Sequence, residues 1–157
     1  MNDEQPTIRP ASNADAPAVR AMIFAILREF GLSPDPENTD ADLNDLESTY
    51  IKPGGRFDVL VNGRGEVIGS VGLLRIDSRT VELRKMYLMP SARGKGHGRR
   101  LLDHAINESR RLGFNRITLE TASQLTTAIE MYKRAGFHPM SGTIHTKRCD
   151  QALELEL

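Results

Sequence analysis

Between Arg93 and Arg100 the chain reads Arg-Gly-Lys-Gly-His-Gly-Arg-Arg, with glycine at every second position: Gly94, Gly96 and Gly98. Alternate glycines let the backbone turn tightly and bring successive N–H groups toward a ligand with no Cβ in the way. Arg93, Lys95, Arg99 and Arg100 surround that turn with positive charge. A helix starting near Gly98 adds its free N–H groups and the positive end of its dipole. The chemistry this spacing serves is the binding of an anion such as phosphate or pyrophosphate. His97, inside the run, is expected to face solvent or lie beside the anion rather than to catalyse. Cys149 follows Lys147-Arg148, which favour a thiolate, yet an isolated cysteine usually packs as a small apolar residue. His145 with Cys149 falls short of the three protein ligands a zinc site needs, so no metal is expected.

The elements that must position this loop are legible from periodicity. The loop is preceded by Thr80 to Met89, a strand stopped by Pro90, and followed by Leu101, Leu102, Ala105, Ile106 and Leu112, a helix of about four turns ending at Gly113. Asn115 to Thr121 is the next strand; with a helix between them, these two strands are expected to run parallel. Thr126 to Ala135 is an amphipathic helix closed by Gly136. Toward the N-terminus, Thr7-Ile8-Arg9 reads as a strand, and Ser12 with Asp15 resembles a capping box ahead of a helix carrying Val19, Met22, Ile23, Ile26, Leu27 and Phe30. Thr39 with Asp42 is a second capping signature, predicting a shorter helix from about Asp40 to Tyr50. Strands from Phe57 to Val61 and from Glu66 to Ile76 then form an antiparallel meander with the strand before the loop. In the second of these, Gly69 and Gly72 mark a close approach or a bulge. The tail Gln151 to Leu157 alternates polar and apolar residues as a half-buried strand.

At 157 residues the chain is expected to form a single domain, residues 1–157, able to bury one core without disulfides. Lysine plus arginine equal aspartate plus glutamate at 21 each, and three tyrosines and five phenylalanines offer little to stack on bases. No nucleic-acid partner is therefore expected. One cysteine and an N-terminus without basic and apolar leader regions point to a cytoplasmic location. Apolar runs are too short to span a membrane.

Two common phosphate motifs fail on the loop. No Gly-x4-Gly-Lys-Ser/Thr run occurs, and a dinucleotide fingerprint would need glycine or alanine at Arg99 or Leu101. Arg93-Gly94-Lys95-Gly96-His97-Gly98 instead resembles the acetyl-CoA loop of the GNAT family of N-acetyltransferases, a pattern of Arg or Gln, two residues, Gly, one residue, Gly or Ala. Tyr87-Leu88-Met89-Pro90 resembles the strand that leads into that loop, and Ala128 to Phe137 resembles the family's later helix with its Gly-Phe ending. Ile8-Arg9-Pro10-Ala11 with Asp15 and the element order are similar too, so the resemblance spans about residues 7 to 157.

The resemblance implies an α/β fold with a mixed, mostly antiparallel sheet, fourth and fifth strands splayed apart, and flanking helices. It implies acetyl-CoA as acyl donor, its arm between the splayed strands on backbone groups near Met86 and Leu88. The Leu88 N–H is then the oxyanion donor, and the pyrophosphate lies on Arg93 to Arg99. Tyr132 occupies the place of the tyrosine that protonates the departing thiolate, and Glu82, six residues before Leu88, that of a glutamate base. Leu125 stands where many relatives carry an asparagine on the pantetheine arm; Gln124 or Thr126 could substitute. The implied activity is direct transfer to a small-molecule or peptide amine. The alternative is a module that binds or senses acyl-CoA without catalysis. Asp40 and Asp42 either cap their helix or attract an amine, whereas Arg84 and Lys85 favour an acceptor bearing a carboxylate or phosphate. Homodimers are common in the family, and the alternating C-terminal strand could contribute to one.

Overall fold

The computed structural model describes residues 5–157; the first four residues of the stretch read for a leader lie outside the described residues. The elements run β1 (Thr7–Pro10), α1 (Ala16–Glu29), β2 (Arg56–Val61), β3 (Val67–Arg75), β4 (Thr80–Leu88), α2 (His97–Arg111), β5 (Arg116–Thr121), α3 (Thr126–Arg134), β6 (His138–Pro139) and β7 (Gln151–Glu156). The strands form one sheet in the order β1-β2-β3-β4-β5-β7-β6. Every neighbouring pair is antiparallel except β4 and β5, which are parallel across the α2 crossover as expected.

Helices cover both faces. On one side, Val19, Ile23, Ile26 and Leu27 of α1 pack with Leu43, Leu46, Tyr50, Phe57 and Val59. On the other, Leu101, Leu102 and Ala105 of α2 and Tyr132 of α3 pack with Val71, Leu83, Ile117 and Leu119. Burial on both faces explains why β2 and β3 carry near-continuous apolar runs rather than clean alternation. The capping box forms: the Ser12 N–H donates to Asp15 Oδ2 at 2.9 Å, and Asp15 also takes two hydrogen bonds from Arg9 at 2.9 and 2.8 Å. A 3-10 turn over Asn13–Asp15 then feeds α1.

The helix expected from Asp40 to Tyr50 does not form. A 3-10 turn at Ala41–Asn44 and a π turn at Glu47–Ile51 replace it. Leu43, Leu46 and Tyr50 are all buried, so the apolar spacing served its purpose, but Asp40 and Asp42 are drawn inward rather than left to cap a helix.

Tyr50 lies over β3 where Gly72 leaves room. A Cβ on Gly72 would stand 2.9 Å from Tyr50 Cε1 and 3.0 Å from Phe57 Cδ2, in a cluster where the two rings meet edge to face at 5.0 Å. Neither ring has space to retreat, since both are fully buried. Gly72→Ala is therefore expected to destabilise the fold by about 1–3 kcal/mol through overpacking. Urea unfolding measures this, and an unchanged midpoint would refute the packing account.

Candidate active site

β4 carries one residue more than β3 between two of their pairings. Gly72 pairs with Arg84 and Ser70 with Tyr87, so three steps on β4 oppose two on β3. The extra residue is absorbed at Lys85, whose φ of 53° is the sole positive value among the described non-glycine residues. A bulge of this kind bends the strand and re-aims its side chains. Here it places consecutive residues, Arg84 and Lys85, on the α1 side, while Met86 and Leu88 join the α2 and α3 side. Ser70 Oγ donates to the Lys85 carbonyl at 2.7 Å and pins the distortion from β3.

Lys85 is 8% exposed, and its ammonium is met by acids from the turn after α1. Nζ lies 3.0 Å from Asp40 Oδ1 and 3.1 Å from Asp42 Oδ1, and donates to the Thr39 carbonyl at 3.2 Å. The Asp42 contact is an ion pair rather than an aligned hydrogen bond, and Asp42 Oδ1 has no hydrogen-bond donor. Arg148, before β7, donates twice to Asp40 at 2.8 and 2.7 Å, and the Tyr50 hydroxyl donates to Asp42. Burial opposes ionisation of Asp40, but the hydrogen bonds from Arg148 and from the Asp35 N–H, with the charges of Lys85 and Arg148, pull its carboxyl down to about 2. The network explains why the acids left their predicted caps: a buried ammonium needs paired, hydrogen-bonded anions.

Beyond the bulge the sheet opens. β4 and β5 pair only at Thr80–Arg116, Val81–Ile117 and Glu82–Thr118. From Leu83 onward the β5-facing edge of β4 has no strand partner. The Met89 N–H donates to the Ile68 carbonyl at 2.9 Å, so by strand alternation the N–H groups of Leu88 and Met86 point the opposite way, into the opening. A cleft of about 760 Å³ fills it, a size suited to a small-molecule ligand.

Glu82, Met86, Leu88, Arg93, Gly94, Gly96, Gly98, Arg99 and Tyr132 all line this one cleft. Lys95 and His97 do not. Lys95 is exposed beside it. His97, expected to face solvent or lie by the anion, is 5% exposed; α2 begins at His97 rather than Gly98, and its Nδ1 lies 3.2 Å from Arg100 Nη1, which also donates to the Pro6 carbonyl at 2.9 Å. Burial, then the Arg100 and Lys95 charges, lower its pKa and keep it neutral.

The glycine turn has the expected shape. Gly94 and Gly96 have φ of 75° and 86°, left-handed values that disfavour other residues, and Gly96 caps α2 with its N–H groups at the cleft mouth. At Gly98 a Cβ would fit: the nearest atoms of Leu88 and Met131 stand 3.5 Å from where it would be, an ordinary contact. The Arg93 guanidinium is spent differently from expectation: it donates to Glu29 at 2.6 and 3.0 Å and to the Leu88 carbonyl at 3.1 Å, and stacks 5.3 Å over Phe30.

Among the remaining groups, Tyr132 is 5% exposed and its hydroxyl makes no hydrogen bond among the described residues. Burial, reinforced by Tyr87 and Cys149, pushes its phenol well above the ordinary value. Glu82 Oε1 lies 2.7 Å from Arg84 Nε on the cleft wall. Cys149 lines the cleft, half-buried, with burial pushing its thiol up to about 11 against the pull of Arg148. Far from binding metal, His145 sits 3.0 Å from Glu120, whose carboxylate also accepts the His145 and Thr146 N–H groups. No group of three metal-type ligands gathers among the described residues. No helix there is long and apolar enough to cross a membrane.

Sequence reasoning missed the joint role of Asp40, Asp42, Tyr50 and Arg148. One signal was present: Lys85 follows Arg84 where the alternation Val81-Glu82-Leu83-Arg84 calls for an apolar residue.

The network carries a pH signature. Asp40 falls from its ordinary 3.8 to about 2, so its stabilisation is complete above pH 4 and is lost as pH drops toward 2. Its share is about 2 kcal/mol. Asp40→Asn should destabilise by about 3–5 kcal/mol near neutrality, because it leaves Lys85 and Arg148 underpaired. The gap between wild type and variant should narrow by about 2 kcal/mol between pH 4 and pH 2 in urea unfolding. A gap independent of pH would contradict the ion-pair account.

The same architecture recurs in known proteins. A profile of the Acetyltransferase (GNAT) family matches residues 20–137. The uncharacterized N-acetyltransferase YjgM of Escherichia coli K12 is 37% identical over 139 residues, covering 85% of this chain and 83% of that protein. A GNAT-family acetyltransferase of Staphylococcus aureus Mu50, 22% identical, superposes with a TM-score of 0.90 over 97% of this chain and 99% of that one. The Salmonella typhimurium protein yncA, solved with its cofactor acetyl-CoA, is 26% identical with a TM-score of 0.69, over 98% and 94% of the two chains. The chain belongs to the GNAT family of acetyltransferases.

Proposed function

We propose that this protein transfers the acetyl group of acetyl-CoA directly to an amine, both substrates being bound together. The observation that carries the reading is the convergence in one cleft of an unpaired strand edge, a turn of left-handed glycines at a helix N-terminus, and Tyr132, whose hydroxyl makes no hydrogen bond among the described residues. That acetyl-CoA serves as cofactor in the yncA structure supports the donor.

The residues fit the donor. The turn from Gly94 to Gly98, the N-terminus of α2 and the Arg99 charge suit the pyrophosphate, with Lys95 exposed nearby and His97 shaping the turn from beneath. The Met86 and Leu88 N–H groups suit an extended amide arm, which pairs with β4 where β5 has departed. When bound, acetyl-CoA supplies an activated acyl group with a thiol as leaving group. Leu125 replaces an asparagine here, so the β4 edge carries the arm's recognition.

During transfer the amine nitrogen bonds to the carbonyl carbon and the carbon–sulfur bond breaks. The Leu88 N–H, fixed by the strand and out of water, stabilises the charge that develops on the carbonyl oxygen. Glu82 takes the proton the nitrogen releases, through its oxygen not engaged by Arg84 or through a water. Tyr132 donates to the sulfur. Its raised pKa matters here: a thiol titrates near 8.5, so complete transfer from the phenol is uphill and a strong hydrogen bond to the developing thiolate is the favoured role. Cys149, protonated at neutral pH by its own raised pKa, is unsuited to carry the acyl group, which agrees with direct transfer.

Tyr132→Phe should lower kcat by about 10²–10⁴-fold, with the acetyl-CoA dissociation constant little changed. A thiol-release assay alongside calorimetry separates the two, and full activity in the variant would remove Tyr132 from the mechanism. Gly96→Asp forces a side chain onto a left-handed residue and adds an anion to the turn. Acetyl-CoA binding should then be undetectable by calorimetry, and unchanged affinity would refute the glycine-turn assignment.

A further inference from the structure

Resting on the acetyl-transfer reading, the acceptor class is legible in how charges are partnered on the cleft wall. Lys85 and Arg148 face inward, consumed by Asp40 and Asp42. Glu82, half-buried on the same strand, faces Arg84. Each of these carboxylates on the β4 side of the cleft already has a cation, whereas Glu130 of α3 is exposed at the cleft.

On the β4 side of the cleft Arg84 is the cation with donors to spare. Its side chain is 29% exposed, and its closest approach to Glu82 is through Nε, 2.7 Å from Oε1. Its two terminal nitrogens make no hydrogen bond with any described residue. A guanidinium presents a fork matched to a carboxylate, and a half-buried one with free donors is a strong site for that group. The bulge holds this fork in place: Arg84 sits opposite Gly72, beneath the Tyr50 ring, one residue before the buried Lys85 anchor.

We propose that Arg84 binds the carboxylate of the acceptor and that the acceptor is an amino acid with its amine and carboxylate on the same carbon. The Glu82–Arg84 pair sets a negative and a positive group side by side on the wall. A zwitterionic amino acid presents the complementary arrangement, its carboxylate on the Arg84 fork and its amine beside Glu82. Binding at this place also puts the amine next to the group assigned to accept its proton. Arg84 is thus a specificity-determining residue, and Glu82 serves both recognition and proton transfer.

The test is a thiol-release assay with acetyl-CoA and three matched panels: free amino acids, their carboxamides, and the amines lacking the carboxyl group. Free acids should exceed the matching amides by about 10–100-fold in kcat/KM, the value of a charge-assisted contact. Arg84→Gln should abolish that preference by raising KM for the acid far more than for the amide, with the acetyl-CoA KM within about threefold of wild type, and Arg84→Lys should restore part of it. Amides or simple amines turned over as well as the acids, or an Arg84→Gln loss shared equally by acid and amide, would overturn the proposal. The wild-type comparison stands even if the variant does not fold. Thiol release from none of the panels, or from none above the rate without amine, overturns the acetyl-transfer reading itself.

Discussion

A buried ammonium governs this structure. Placing Lys85 inside the protein is unfavourable unless its charge is met, and the chain meets it with Asp40 and Asp42, then secures Asp40 with Arg148. Those partners come from the turn after α1 and the loop before β7, elements far apart in sequence on either side of the cleft. The pairing therefore gathers three segments around β4 at the point where its backbone leaves regular geometry. A left-handed lysine costs about 1–2 kcal/mol relative to extended backbone. Its persistence here follows from over-determination: the ion pairs hold the side chain, and Ser70 holds its carbonyl.

The bulge has consequences on both faces. Without the extra residue Lys85 would point toward the α2 side among Leu83 and Leu101, and Arg84 and Met86 would share the other face. With it, Arg84 and Lys85 both face α1, Met86 and Leu88 face α2, and the strand bends away from β5 after Glu82. The open edge and the arginine fork thus have one cause. A slip in that register would close the sheet and invert every side chain on the wall.

Much of this was legible beforehand because strand and helix periods dominate where an element is long and packed. The meander, the parallel crossover, α1, α2 and α3 all follow from apolar spacing and glycine stops. The glycine turn was legible as well, since alternate glycines with cations have few other uses. The Asp40–Tyr50 region was not. Its apolar spacing fits a helix, and the force that breaks it, an ammonium forty-odd positions later in the chain, leaves no local trace. His97 shows the same limit on a smaller scale: read within its loop it belongs outside, but a helix starting one residue early turns it under Arg100 and the Pro6 carbonyl. Charge partners distant in sequence are invisible to periodicity, and they set most of the site's acceptor wall.

Arg93 shows how differently an exposed pair behaves. Its bonds to Glu29 tie the end of α1 to the glycine turn, and Phe30 lies under its guanidinium. Both side chains remain about a third exposed, so the pair contributes little and is weakened by salt. The shape of the turn cannot rest on so weak a contact. It rests on the left-handed glycines and on the Arg93 bond to the Leu88 carbonyl, which joins the turn to the end of the strand that lines the cleft. The β4 wall of the cleft is thus fixed by a buried network, whereas the link from α1 to the turn is held by a screened pair. Of the two, only the second can exchange partners without unfolding the site.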